Sequence, residues 1–377
     1  MKLSKIYKSL LVLAAPLMLA ACSNEGEPNV PVVEEEFEGI VLNIPVSRSS
    51  ETRATTPEDP SNDEAAIHTL WVFAYAQGGK GADYIAQIAV PNDWSTAYPI
   101  VDNYKSVPVK LMSGEYHIYV LANIAASDVK KSDGSGMDSN MKVWTETDLQ
   151  AAKLTSPLTP GGIPTNGIPM SCDFDEIQQN KTDKFTNNLV KIGKGESVAV
   201  YAPLTFCMAK VRFTMLNGVN KDIRMNSDAP LAVADYASVV GLMSQLTGPD
   251  TADDAATIST GDYFNYPVGE NQSDAEWEPS ELSNKDNTDT KWAYQAVFYI
   301  PEHVFGSSTD AKKSTLQVKF CENASGINKD VVLGEDNSVL RSHFYDYFGY
   351  IGKKEVTLQA RVKEWGYFQH SIDLEDL

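Results

Sequence analysis

In Gly39-Ile40-Val41-Leu42-Asn43-Ile44-Pro45-Val46 the side chains of Ile40, Leu42, Ile44 and Val46 recur at a period of two, so one face is strongly apolar. That spacing predicts a strand laid on a hydrophobic core. Pro45 cannot donate to a ladder, which favours an edge or a strand end. Immediately downstream, residues 47–60 are polar and carry two isolated arginines, Arg48 and Arg53. Such a stretch is open to proteases. Upstream, residues 23–38 include Glu34-Glu35-Glu36 and read as an acidic tether without structure of its own.

Short apolar stretches continue to the C-terminus. Residues 69–75 place Leu70 and Val72 on one side of a strand and Trp71, Phe73 and Tyr75 on the other. Residues 85–90 form another. Residues 107–111 and 116–123 flank Ser113-Gly114-Glu115, which predicts a hairpin. Residues 127–165 are rich in Ser, Asp, Thr, Pro and Gly, with one short capped helix expected over 144–153. Residues 196–215 read as two strands joined near Ala202-Pro203. Residues 248–292 read as an acidic insertion, sparse in aliphatics and dotted with Tyr263, Phe264, Tyr266 and Trp277. Late strands are expected over 293–300, 315–320 and 355–362. Many short strands, polar turns and few helices predict an all-β chain of two β-sandwich domains in tandem, divided near residues 190–200. There is no repeat of fixed period and no heptad pattern.

The N-terminus carries an export signal. Lys2, Lys5 and Lys8 precede an apolar run from Leu10 to Leu19, too short to span a membrane. Leu19-Ala20-Ala21-Cys22 resembles a bacterial lipobox, in which the thiol of Cys22 would be acylated. The chain of 377 residues has 51 acidic and 31 basic side chains, a formal charge of -20. That field repels phosphate backbones and argues against a nucleic-acid partner. Beyond Cys22 there remain Cys172, Cys207 and Cys321, an odd number. Cys207, on the side shared with Ala209, Val211 and Phe213, reads as a buried inert thiol. No Cys or His spacing points to a metal, and no cofactor motif is present.

The C-terminal end repeats the pattern of the first strand. Val356, Leu358, Ala360 and Val362 alternate with Thr357, Gln359, Arg361 and Lys363, the mark of a half-buried strand. After Trp365 and Gly366, Phe368, Ile372 and Leu374 again share one face. A second apolar strand at a terminus can either pack on its own domain or complete a sheet in a neighbour. If a protease cuts after Arg48 or Arg53, strand 39–46 can leave and expose an apolar groove with unpaired edges, which must be refilled.

These stretches together resemble the fimbrillins of the Bacteroidales type, the FimA-like subunits of type V pili. The similarity runs through Cys22, residues 44–55, Leu70-Trp71-Val72-Phe73, residues 114–123, 167–171 and 209–213, Tyr299-Ile300-Pro301-Glu302 and Val362-Lys363-Glu364-Trp365. The resemblance implies two transthyretin-like β-sandwich domains, with a signal peptide over 1–22 and a tether plus removable strand over 23–53. The N-terminal sandwich would span 54–195, and the C-terminal one, with a donor tail, 196–377. It implies export to the outer membrane as a lipoprotein and trimming by an arginine-specific surface protease at Arg53, with Arg48 next. Strand exchange with other fimbrial subunits into an adhesive surface fimbria would follow. Arg341-Ser342-His343-Phe344-Tyr345 departs from the Arg-Asn-His-Tyr-Tyr common in that family. The two arginines and the apolar tail favour a stalk-like subunit over an anchor or a tip.

Two other classes of function compete. An enzyme is disfavoured: His68, His117, His303, His343 and His370 are scattered, Gly193-Lys194-Gly195 is not a phosphate loop, and Asp250, Asp253 and Asp254 lack calcium-loop spacing. A non-polymerising lipoprotein that binds glycan or host protein would use exposed aromatics such as Trp94, Tyr98, Trp277 and Trp292. Retention of residues 23–53 in the mature protein would mark that alternative.

Overall fold

A computed structural model describes residues 38–45, 61, 63–76, 84–88, 97–98, 100–101, 104–136, 144–180, 183–217, 223–265, 292–306, 312–322, 325–351 and 356–365. The first half runs β1 (Gly39–Pro45), β2 (Leu70–Ala76), β3 (Tyr84–Ile88), β4 (Ile100–Val101), β5 (Tyr104–Lys110), β6 (Gly114–Ala122) and β7 (Val129–Lys130). A single helical turn, α1 (Glu146–Gln150), leads to β8 (Lys153–Leu154), β9 (Met170–Cys172), β10 (Val190–Ile192), β11 (Ser197–Tyr201) and β12 (Thr205–Phe206). The second half runs β13 (Met208–Asn217), β14 (Ile223–Met225), β15 (Leu231–Ala234), β16 (Val240–Gly241), β17 (Ala256–Ile258), β18 (Asp262–Asn265) and β19 (Trp292–Pro301). It closes with β20 (Thr315–Glu322), β21 (Ser325–Val332), β22 (His343–Ile351) and β23 (Val356–Glu364). The chain is all-β, as its periodicities predict.

Two sheets make the first sandwich. One has the order β11-β1-β5-β4; the other runs β12-β9-β6-β2-β3, with β10 also on β6. Ile40, Leu42, Ile44, Val107 and Val109 from the first sheet meet Leu70, Val72, Ile118 and Val120 from the second in one core. The opposite face of β2 and β6 (Trp71, Phe73, Tyr75, Tyr119 and Leu121) is buried as well, under Trp144, Leu149, Leu154, Val240 and Leu242. These come from α1 and the residue before its cap, and from a small sheet of order β16-β8-β7 with the residue after β16. Burial on both sides explains why residues 70–75 read as a continuous apolar run. Thr145 caps α1, its Oγ1 accepting from the Asp148 N–H at 3.1 Å.

The second sandwich packs β18-β19-β13-β22-β23 against β14-β20-β15-β17, with β21 on β20. Val211, Phe213, Phe298, Tyr345 and Tyr347 meet Leu231, Val233, Leu316, Val318 and Phe320 in its core.

Several expectations are corrected. β5 and β6 do not form a hairpin: β5 pairs with β1 and β4, whereas β6 pairs with β2, β9 and β10. The chain crosses between sheets at residues 111–113, so both strands face one core from opposite sides. β11 and β12 pair with β1 and β9, so the first sandwich runs past the expected boundary at 195/196, through Phe206. Cys207 is buried, yet it packs with Trp71 and Leu242 while Ala209, Val211 and Phe213 belong to the second core. The break between β12 and β13 resets the alternation. The expected insertion over 248–292 begins with β17 and β18, both paired into the second sandwich. Trp292 is buried, with 1% of its surface exposed, and so offers no stacking platform. Trp94 and Trp277 lie outside the described residues, and Tyr98 is half-buried.

Candidate functional site: the slot held by the first strand

β1 lies between two neighbours. It runs antiparallel to β5, from Gly39 opposite Lys110 to Pro45 opposite Tyr104, and parallel to β11, from Gly39 opposite Ser197 to Asn43 opposite Tyr201. Pro45 takes the terminal position its missing amide hydrogen requires. Ile40, Leu42 and Ile44 have no exposed surface at all. Burying them contributes about 1.5–3 kcal/mol each by area bookkeeping.

The entry is stitched by side chains. Glu38 accepts the Gly195 N–H at 2.9 Å and the Ser113 N–H at 2.5 Å. Gly39 has φ +149°, and a Cβ built there would lie 2.2 Å from the Val109 carbonyl oxygen, so this start admits only glycine. On the other face of β1, Asn43 is 4% exposed. It donates through Nδ2 to the Val41 and Val200 carbonyls at 3.1 and 3.3 Å, and its Oδ1 accepts the Ser106 hydroxyl at 2.7 Å. The next amide along the seam, Ala202 N–H, donates to the Asn43 carbonyl at 3.0 Å. A polar group with both ends satisfied fixes register, since a one-residue slip would strand it in the core.

The core lined by β1 reaches the second sandwich. Trp365, just after β23, stacks on Phe206 with ring centroids 4.2 Å apart and lies 5.6 Å from the Tyr299 ring. Its backbone N–H donates to the Ser342 carbonyl at 2.6 Å. Trp365, Tyr299 and Phe344 thus share one apolar cluster with Ile40, Leu42 and Ile44. Tyr299 donates its hydroxyl to Glu64 at 2.5 Å, and burial, with the Glu64 carboxylate beside it, raises the phenol above its ordinary range. Nearby, Arg341 donates to Glu302 and to the Gly241 carbonyl, each at 2.6 Å, joining the small sheet to the second sandwich.

Of the residues singled out from sequence, Ile40, Leu42 and Ile44 come together on the core face of β1. Val46, Cys22, Arg48, Arg53, Phe368, Ile372 and Leu374 lie outside the described residues. Asn43 and Glu64 were not singled out, and Tyr299 entered only within a stretch that resembles the family. For Asn43 the signal was available, as a polar residue inside an apolar strand; for Glu64, in a polar segment, there was none. Among the described residues no group of three or more His, Cys, Asp or Glu side chains could hold a metal ion. None of the described helices is long and apolar enough to cross a membrane.

Residues 40–226, which begin within β1 and end just past β14, match the family of the major fimbrial subunit protein (FimA). The chain is of the fimbrillin type. Among solved structures this fimbrillin is similar to the tip fimbrial protein Mfa3 of Porphyromonas gingivalis, at 11% identity over 86% of this chain and 99% of that one, with a TM-score of 0.46. A fimbrial assembly protein from Parabacteroides distasonis matches at 11% identity over 86% and 97%, with a TM-score of 0.47. The fimbrial anchor protein Mfa2 of P. gingivalis matches at 10% identity over 87% and 99%, with a TM-score of 0.40. No curated protein matches the fimbrillin. The family places it among the subunits of a cell-surface fimbria, with other fimbrial subunits as partners.

Proposed function

We propose that this fimbrillin is a stalk-like structural subunit that polymerises by exchanging its first strand for the tail of a neighbour. In this reading Cys22 carries lipid through export to the outer membrane. An arginine-specific surface protease then cuts after Arg53 or Arg48, and β1 leaves with the tether. The observation that carries the reading is the placement of β1: an interior strand, hydrogen-bonded on both sides, fully burying Ile40, Leu42 and Ile44, and leading directly into the arginine-bearing stretch. Its removal leaves two unpaired ladders over an apolar floor, a surface that demands another strand. The apolar positions Phe368, Ile372 and Leu374 of a second copy share one face, with His370 its polar exception, and offer that face to the floor. The product is an adhesive filament, and its function is structural rather than enzymatic.

The deciding experiment is N-terminal sequencing of the protein sheared from intact cells. A start at Ala54 or Ser49 is expected. An acylated Cys22 in the sheared material would overturn trimming and leave an anchor or a non-polymerising lipoprotein.

A further inference from the structure

A buried carboxylate stands between the arginine-bearing stretch and β2. Glu64 is 2% exposed. Its Oε1 accepts the Tyr299 hydroxyl at 2.5 Å and pairs with the Lys210 ammonium at 3.0 Å. Its Oε2 accepts the Ser61 N–H at 2.6 Å, while its own N–H donates to the Ser61 hydroxyl at 3.3 Å. Lys210 is on β13 and Tyr299 on β19, both of the second sandwich; Glu64 belongs to the lead into β2 of the first.

The same lead is held on its other side by Asn123, which follows β6. Asn123 accepts the His68 N–H at 2.7 Å and donates to the Ala66 carbonyl at 2.8 Å. Ser61 and residues 63–69 are therefore fastened to both sandwiches by polar contacts. An ionised carboxylate is costly to bury unless each oxygen is satisfied, and here each is. Charge-assisted bonds of this kind rank among the stronger hydrogen bonds.

We propose that Glu64 is a positioning residue for the trimmed chain: it pins residues 63–69 across the two sandwiches, so that losing the segment ahead opens the slot without unravelling β2. The inference rests on the trimming reading above. While the chain is whole, β1, held by its two ladders, lies ahead of this lead in the same chain. Once it is cut, Glu64 and Asn123 remain to hold the lead, together with Ile67, which packs against the first core.

The test severs the chain artificially, so it is independent of natural processing. A site for a sequence-specific protease replaces residues 49–55 in the full chain, and amide hydrogen exchange is followed at Ala65 and Ala66, whose N–H groups donate to Ser61 and Asp63 carbonyls. In the parent protein, exchange at these amides is expected to change little on cutting. In Glu64→Gln it should match the parent before cutting and rise at least roughly tenfold afterwards, as for a segment opening locally. Tyr299→Phe, which keeps the ring in the core and deletes one partner, should move the same way and serves if Glu64→Gln does not fold. Loss of protection in the cut parent, equal protection in cut parent and variants, or equal loss in the uncut variants would each overturn the proposal. Failure of the trimming reading registers elsewhere, as an intact Cys22 terminus on sheared protein.

Discussion

Leu42 has no exposed surface and sits midway along β1, so Leu42→Ala should destabilise the untrimmed protein by about 2–5 kcal/mol, read from chemical denaturation. After trimming, the same substitution should have no effect on the retained chain, because the residue has left with the segment. A persistent deficit would mean that β1 stays. Asp173 responds to pH instead. Burial, and then its acidic neighbours Asp175, Glu176 and Glu146, push its carboxyl up to about 6. The folded state therefore binds a proton more tightly than the unfolded chain, and stability falls as pH rises from about 4 to 6. Asp173→Asn should raise the melting temperature at pH 8 and leave it unchanged near pH 3.5; an equal shift at both would refute the assignment. Single residues were legible where alternation carried them, as at Ile40 or Trp71. Glu64 was not, since its burial comes from Lys210 and Tyr299, 146 and 235 positions further along the chain.

At the level of elements, strand existence followed from pattern, but pairing did not. β22 (HFYDYFGYI) has Phe344, Tyr345, Asp346 and Tyr347 all buried, so no alternation marks it. β21 carries polar side chains at half of its positions, which conceals a strand fixed mainly by its hairpin with β20. Most misleading was the 111–113 crossing, because a short Gly-containing link between two apolar stretches is also the mark of a hairpin. β1 is the element on which the proposed function turns. Arg48→Ala combined with Arg53→Ala should leave full-length lipoprotein on the cell surface without filaments, seen by negative-stain microscopy and N-terminal sequencing. Filaments from the double variant would refute cleavage there. Removing residues 367–377 should permit trimming and stop growth; filaments of unchanged length would place the donor elsewhere.

The whole molecule joins its sandwiches through shared core. Phe344, Tyr299 and Trp365 of the second half are built into the cluster that β1 lines, and Arg341 ties the small sheet to Glu302. The untrimmed protein should accordingly unfold as one unit in calorimetry; two separate transitions would contradict a common core. Tandem sandwiches were legible from the spacing of strands and turns. The junction was not, because β11 and β12 come last in the first half of the chain yet complete sheets begun by β1 and β2. β1 also has unlike neighbours, parallel on the β11 side and antiparallel on the β5 side. Parallel and antiparallel ladders space their hydrogen bonds differently. A replacement reproduces both ladders only by running in the original sense, from the Gly39 end to the Pro45 end. Every joint of a polymer built this way would point in the same direction. Such a fibre is polar, with one end presenting an empty slot and the other an unused tail, and the two ends can grow by different chemistry and at different rates.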